Sequence, residues 1–217
     1  MCIRDRSHAI EAYTCKIATP VADAMALYAI ELMGKNIRAA VYAGDYEAKA
    51  NMQLGAMLAG IAISQTDVAG VHCMGEALGG MYDTPHGIAN ASVLPYMMDF
   101  CAVSDTAKYA RITKALGVDT RDMTERKAAA AAAVAVKELN DDMLIPNLKE
   151  AGAKKEDFPE LSEKAEKMCI RDSFHGKIFI TSLNGRKGTR TKGRRYCVSV
   201  RRIGPAPGAC PQKGAGI

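Results

Sequence analysis

The feature that most constrains the fold is an almost continuous series of helix signals between residues 7 and 167. Apolar side chains recur at helical spacing, as in Met52, Ala59 and Ile63. The alanine-rich stretch 123–139 strongly favours helix. No alternating strand pattern of useful length interrupts these segments. The sequence therefore predicts an all-α domain, a multi-helix bundle of about eight helices.

Capping residues and glycines predict where individual helices begin and end. Ser7 is a suitable N-cap for a helix that starts at His8, and Asp45 is a suitable N-cap for a later one. Thr19-Pro20 combines a cap with a proline at the first helical position. The segment from Asp67 to Met81 is predicted to be a helix that ends near Gly79-Gly80, and Thr84-Pro85 is predicted to start the next. This break lets the chain double back on itself.

The charge of the chain divides into two regions of opposite sign. Residues 7–167 carry 16 Lys and Arg against 22 Asp and Glu, a net charge of −6. Residues 174–217 carry 10 Lys and Arg and no acidic residue, a net charge of +10. The basic region has a Pro/Gly-rich end and is expected to form an irregular, disordered tail without a packed fold. An average charge over the whole chain describes neither region.

A repeated hexapeptide stands at both ends of the acidic region 7–167. MCIRDR occupies residues 1–6 and MCIRDS occupies residues 168–173. The copies are too short for a structural repeat and carry no apolar period. They resemble a translated transposase adapter from sequencing libraries. Our hypothesis is a chimeric reading frame in which 7–167 is the native helical segment, present as a fragment, and 174–217 is unrelated. Amplifying the locus from source DNA would test this against a genuine repeat.

Cysteine usage and hydropathy give expectations about location. The chain has seven cysteines, an odd number, and no CxxC pair, which is typical of reduced thiols in a cytosolic protein. It has no apolar run of about 18 residues and no long apolar secretory leader. We therefore expect a cytoplasmic protein without a membrane partner.

Three of the four histidines stand in motif-like surroundings. His72 and His86 lie within the stretch Gly70–Gly87, and His8 opens the N-terminal helical pattern. Imidazole is the commonest side-chain ligand for zinc and ferrous iron. A lone histidine is usually a packing or surface residue, so each of the three has that alternative. Together they are consistent with the ligand set of a catalytic metal.

The region 7–167 resembles the C-terminal domain of the iron-containing (group III) alcohol dehydrogenases, which is a dehydroquinate synthase-like α domain. The resemblance covers this whole region. Its main motifs are HAIEAY from His8, AGIAIS from Ala59, GVHCM from Gly70 and YDTPHG from Tyr82. Asn90-Ala91, Leu94-Pro95 and FPEL from Phe158 continue it.

The resemblance implies roles for particular positions. Metal ligands would be His8, His72 and His86. The family's fourth ligand is an aspartate one helical turn before the first histidine, a position that is Arg4 here. Many relatives carry histidine at the position of Glu76. The resemblance implies a catalytic role for Glu76 in a proton relay, and the alternative is that it only lines the cleft.

The resemblance implies that Ile63 contributes to cofactor binding, since it would face the substrate and the nicotinamide. Its alternative role is core packing. Cys73 lies beside a proposed ligand and has no base partner in the sequence pattern, so no nucleophilic role is assigned to it.

The implied chemistry is reversible oxidation of an alcohol to an aldehyde or ketone with NAD or NADP. Fe²⁺, or Zn²⁺ in some members, would act as a Lewis acid on the alcohol oxygen. The glycine-rich nucleotide loop of an N-terminal domain is absent, so we expect this chain alone to be inactive, and we expect its parent enzyme to be a homo-oligomer.

The sequence also allows two other functions. One is a non-catalytic helical module that binds metal or protein. The other is a nucleic-acid binder that acts through its basic tail, although nucleic acid is not the expected partner.

Overall fold

The computed structural model describes residues 2–171, including the side chains of residues 3–167. The predictions for the basic tail 174–217 lie outside the described residues. In the described part every α-helix packs against others and no strand is present, so the all-α prediction is confirmed. The helices are α1 (Cys2–Thr14), α2 (Pro20–Arg38), α3 (Tyr46–Ser64), α4 (Gly70–Tyr82), α5 (His86–Cys101), α6 (Thr106–Ala115), α7 (Glu125–Asp142) and α8 (Phe158–Arg171).

Several helix starts follow directly from local capping chemistry. The Thr19 hydroxyl accepts a hydrogen bond from the Ala22 N–H at 3.2 Å, and the Asp45 carboxylate accepts one from the Ala48 N–H at 2.6 Å. Asp105 caps α6 in the same way. These side chains satisfy backbone donors that the first turn of a helix leaves without a partner. The predicted caps of α2 and α3 are therefore confirmed.

Two predicted helix boundaries are wrong. Ser7 is not an N-cap, because α1 already begins at Cys2 and the Ser7 hydroxyl donates to the Ile3 carbonyl within the helix, at 3.5 Å. Gly79-Gly80 does not end α4, which continues to Tyr82. A glycine in a helix costs about 1 kcal/mol relative to alanine, which tertiary packing can offset. The chain leaves the helix at Asp83, whose φ of 53° is left-handed.

The helices enclose a main core and a smaller one. The main core lies between α1, α2, α3, α5, α6 and α7 and contains Ile10, Ile30 and Ile112. The smaller core lies between α4, α5 and α8 and contains Leu78 and Leu161. Because α5 borders both, it ties the α4–α5–α8 layer to the rest of the bundle.

Gly55 allows α2 and α3 to approach closely. A Cβ atom at Gly55 would lie 3.0 Å from Cγ of Met33 and 3.5 Å from the Ala29 carbonyl oxygen. Gly55 thus lies at a close helix contact. Gly60 in the same helix does not, since nothing lies within 4 Å of a Cβ built there.

The thiol prediction is only partly correct. Neither Cys15 nor Cys101 forms a disulfide, whereas Cys73 is disulfide-bonded, contrary to the expectation of reduced thiols throughout. Among the described helices, none combines the length and apolar character needed to cross a membrane.

The fold brings α1 beside the first turns of α4 and α5. A Cβ atom at Gly87, near the start of α5, would lie 3.6 Å from Cβ of Arg4 on α1. The start of α4 contacts α1 through the Glu11 carboxylate. Residues distant in sequence thereby share one interior volume, and this is where the three histidines lie.

Candidate metal centre

The three histidines expected to form a ligand set come together in space. The imidazole centroids of His8 and His72 are 4.8 Å apart, with the rings nearly parallel at 10°. The centroids of His72 and His86 are 5.4 Å apart, at an interplanar angle of 54°. Each ring comes from a different helix, α1, α4 and α5. The bundle thus gathers imidazoles separated by up to 78 residues in sequence.

His72 is the most deeply buried of the three. It is 3% exposed, and its Nδ1 pairs with the Glu11 carboxylate. Its other ring nitrogen, Nε2, is buried without a hydrogen-bond partner. Leaving such a group unsatisfied costs about 1–3 kcal/mol. A cation at Nε2 would remove that penalty, so this atom is the strongest local sign of a missing ligand.

Glu11 is a buried carboxylate that sequence inspection did not single out. It is 3% exposed, and one oxygen accepts hydrogen bonds from the backbone N–H groups of Ala69 and Val71, at 3.1 and 2.9 Å. A signal existed in the sequence: Glu11 lies three residues after His8, and positions i and i+3 share a helix face. An acidic residue on the same helix face as a proposed histidine ligand is a candidate hydrogen-bond partner for the histidines of that site.

Asn90 supports His86 and was likewise not assigned a role from sequence. Its amide nitrogen, which can only donate, lies 3.2 Å from Nε2 of His86. Asn90 is fully buried, and its Oδ1 has no partner. Gly75 makes room for it, because a Cβ there would lie 1.8 Å from that oxygen.

Burial holds two of the imidazoles in their neutral form. Desolvation, followed by the charges of His72, Arg4 and His86, lowers the pKa of His8 to about 4. Desolvation and His72 also lower the pKa of His86, while Glu76 acts in the opposite direction. Neutral imidazole is the form that binds a metal ion, so these environments favour ligation near neutral pH.

Arg4 is a group at the site that opposes a cation. Its Nη2 lies 3.5 Å from an Asp5 carboxylate oxygen, and its Nε is buried without a partner. Its positive charge contributes to the lowered pKa of both His8 and His86. The donor chemistry of the three imidazoles fits Fe²⁺ or Zn²⁺, whereas a guanidinium beside them does not.

The side chains do not stand in coordination geometry. Within residues 3–167, no three His, Cys, Asp or Glu side chains form a group arranged to hold a metal ion. The parallel rings of His8 and His72 are stacked instead of converging on one point. Ring rotation within the cluster is therefore needed before three nitrogens can meet at one ion.

The two remaining predicted site residues lie on α3 and α4. Ile63 is partly buried and packs against the main core, which agrees with its alternative packing role. Glu76 is exposed on α4, one helical turn after His72, and its charge reaches His86. Their roles toward nicotinamide and substrate stay predictions.

The all-α domain therefore places the imidazoles of His8 and His86 beside that of His72, whose Nε2 is buried without a partner. The model of the Fe-containing alcohol dehydrogenase family, C-terminal, matches residues 6–176. The chain therefore belongs to the iron-containing alcohol dehydrogenase family.

Individual relatives agree with this assignment. A 1,3-propanediol dehydrogenase of Citrobacter freundii is 40% identical over 163 residues, which cover 74% of this chain and 42% of the relative. A lactaldehyde reductase of Escherichia coli K12 is 40% identical over 160 residues, with 73% and 42% covered. The chain thus spans less than half the length of these relatives.

Solved structures show the same fold. A 1,3-propanediol oxidoreductase is similar with a TM-score of 0.72 at 37% identity, covering 75% of this chain and 43% of that one. An alcohol dehydrogenase from Oenococcus oeni is similar with a TM-score of 0.72 at 31% identity, covering 85% and 46%.

Proposed function

We propose that this chain is the metal-binding helical part of an NAD(P)-dependent alcohol dehydrogenase that interconverts an alcohol and an aldehyde or ketone. The observation that carries the proposal is the packing of the His8 and His86 rings against the ring of His72, whose Nε2 is buried without a partner. The relatives' names, a propanediol dehydrogenase and a lactaldehyde reductase, support a small hydroxylated substrate.

The chain's own residues would prepare and hold the metal. Burial keeps His8 and His86 in the neutral form that binds a metal ion. Nε2 of His86 accepts from the Asn90 amide, so binding through that atom would exchange this hydrogen bond for the ion. His72 would contribute Nε2. When bound, Fe²⁺ or Zn²⁺ supplies a Lewis acid for the alcohol oxygen, and NAD or NADP supplies the hydride acceptor. In this proposal Ile63 borders the nicotinamide, and Glu76 relays a proton or lines the cleft.

We infer that the chain by itself has little or no dehydrogenase activity. It spans 42% of the length of the matched relatives, and Arg4 stands where the resemblance places a fourth ligand. The same proposal includes three further statements. Residues 7–167 are the native segment, the parent enzyme is a homo-oligomer, and that enzyme is cytoplasmic. Steady-state assays of the full chain with Fe²⁺, simple alcohols and NAD(P) test the activity statement, and robust turnover would contradict it.

Metal titration of the full chain tests the binding statement directly. We expect Zn²⁺ affinity, measured calorimetrically, to fall at least about tenfold in His72→Ala, which removes one ligand. His175→Ala, which removes the histidine outside the proposed set, is the matched control and should leave affinity unchanged. Equal losses in both variants would refute the assignment.

Arg4→Asp adds a second arm to that experiment. Replacing the guanidinium with a carboxylate removes a repelling charge and restores the expected fourth ligand, so Zn²⁺ affinity should rise at least about tenfold. No binding by either the parent chain or Arg4→Asp would exclude a metal function. Tight binding without activity after fusion to a family nucleotide-binding domain would favour the non-catalytic module.

A further inference from the structure

We propose that Glu11 is the positioning residue that fixes the tautomer of His72 and thereby makes Nε2 its metal-donor atom. This inference rests on the proposed metal function. The geometry behind it joins three parts of the fold: a carboxylate on α1, the first turn of α4, and an imidazole within that turn.

The orientation of the Glu11 carboxylate is fixed on both of its oxygens. Oε1 accepts hydrogen bonds from two backbone N–H groups, those of Ala69 and Val71, at 3.1 and 2.9 Å. Oε2 faces Nδ1 of His72. An ionised carboxylate can only accept hydrogen bonds, so Nδ1 must carry the proton. A neutral imidazole protonated at Nδ1 has its lone pair on Nε2.

The backbone donors that hold Glu11 lack any local partner. Ala69 occupies the N-cap position of α4 and has no side chain able to cap it. Glu11 supplies that cap from α1, 58 residues earlier in the sequence. A carboxylate at a helix N-terminus is also favoured by the helix dipole. The same side chain therefore anchors α4 to α1 and sets the tautomer of a histidine on α4.

His72 then presents its free nitrogen where a ligand is needed. Nε2 is buried and has no hydrogen-bond partner within the described part of the chain. Metal-ligating histidines commonly donate their other N–H to a carboxylate, which fixes ring orientation and raises basicity. Because Glu11 lies one turn after His8 on α1, it also links the positions of two proposed ligands.

Glu11→Gln separates the tautomer role from the capping role. The glutamine oxygen can continue to accept from the α4 backbone, which places its amide N–H₂ against Nδ1 of His72. An amide N–H₂ only donates, so Nδ1 must become the acceptor and the proton must move to Nε2. Glu11→Ala, in contrast, removes both interactions.

The primary measurement is long-range ¹H–¹⁵N NMR of the histidine rings in the metal-free full chain. We expect His72 to be protonated at Nδ1 in the parent and at Nε2 in Glu11→Gln. Signals are assigned by their absence in His72→Ala. Zn²⁺ titration should show affinity about 10–100-fold weaker in Glu11→Gln. Glu47→Gln, an exposed glutamate in the first turn of α3, is the matched control and should change neither result.

The outcomes separate this inference from the proposed function. A parent chain with His72 protonated at Nε2, or a Glu11→Gln variant with unchanged tautomer and Zn²⁺ affinity, would overturn the role of Glu11. A parent with the expected tautomer that binds no Zn²⁺, even as Arg4→Asp, would refute the metal function and the donor role of Nε2. In that case the Glu11–His72 pairing would stand as a structural contact. Thermal midpoints close to the parent's in Glu11→Gln, but lowered in Glu11→Ala, would identify the capping contribution.

Discussion

The interior around the histidines and the interior between α6 and α7 are both helical and both buried, but their chemistry differs. Between α6 and α7 the buried surface is mostly alanine with larger apolar side chains, and the buried Thr113 hydroxyl donates to the Ala128 carbonyl at 2.6 Å. Around the histidines, the buried side chains include Asp5, whose carboxylate lies 3.8 Å from Nδ1 of His8, and Glu11, which pairs with His72.

Unsatisfied polar atoms show the difference most clearly. In the described residues, all six buried side-chain nitrogen or oxygen atoms without a partner lie on α1, α4 or α5. The α6–α7 pair has none of them. Buried polar groups are normally satisfied, so a concentration of exceptions marks either a functional site or a local misfit. Three of the six atoms, Arg4 Nε, His72 Nε2 and Asn90 Oδ1, belong to residues that act on or contact the histidine cluster. We infer that this cluster carries unpaired chemistry, while α6–α7 supplies stability.

The largest expected effect is on the stabilising side of this comparison. Ile112 on α6 is fully buried, so Ile112→Ala should lower the free energy of unfolding by about 2–5 kcal/mol. Denaturant titration measures this, with Val134→Ala at an exposed α7 position as the control of small effect. Zn²⁺ affinity of the folded variant should be unchanged. A parallel loss of affinity would break the separation between the two regions.

The next effect concerns the space that Gly75 leaves for Asn90. In Gly75→Ala the new methyl group must displace the Asn90 side chain, which should cost about 1–3 kcal/mol and disturb His86. Gly80→Ala in the same helix meets open space and should stabilise the chain by about 0.5–1 kcal/mol. Thermal melts and Zn²⁺ titration of the pair check this. Similar behaviour of the two variants would argue against a close fit at Gly75.

Replacing Arg6 tests whether the unsatisfied polar atoms on α1 all serve metal binding. It is 2% exposed, desolvation lowers its pKa to about 10, and its Nε and Nη1 have no partner. Arg6→Met removes this buried cation and should stabilise the chain by about 1–2 kcal/mol, even though Asn140 loses a hydrogen bond. Arg111→Met at an exposed site should change stability by no more than about 0.5 kcal/mol. A destabilised Arg6→Met would mean that Arg6 contributes net stabilisation.

The smallest effect is the pH dependence of the metal-free chain. The pKa of His8 is lowered from 6.5 to about 4, so the unfolded chain binds more protons than the folded chain between those values. Stability attributable to His8 is therefore intact above pH 6.5 and is lost as pH falls toward 4. Because His8 is partly solvated, we expect a loss on the order of 1 kcal/mol, or a few degrees in the melting temperature. The stability of His8→Asn should decline less steeply than that of the parent over this pH range. Identical pH profiles of the two chains would contradict the role given to His8.

Much of the helical framework could be predicted from the sequence. Thr19 and Asp45 act on donors three residues away, so their capping depends only on local chain geometry. The same reasoning failed at Ser7, because packing of the preceding turn extends α1. It failed again at Gly79-Gly80, because the interior of α4 is held by its neighbours and not by propensity alone.

The sequence by itself determined the helical class and which three histidines form the cluster, since periodicity, caps and motif composition are local properties. Only the tertiary structure decided which side chains support them. Glu11 meets His72 across 61 residues, and Gly75 admits Asn90 by the absence of one methyl group. Such contacts depend on how helices approach one another in space, and no short-range pattern encodes that distance. The stacked rings and the placement of Arg4 beside them are likewise consequences of packing.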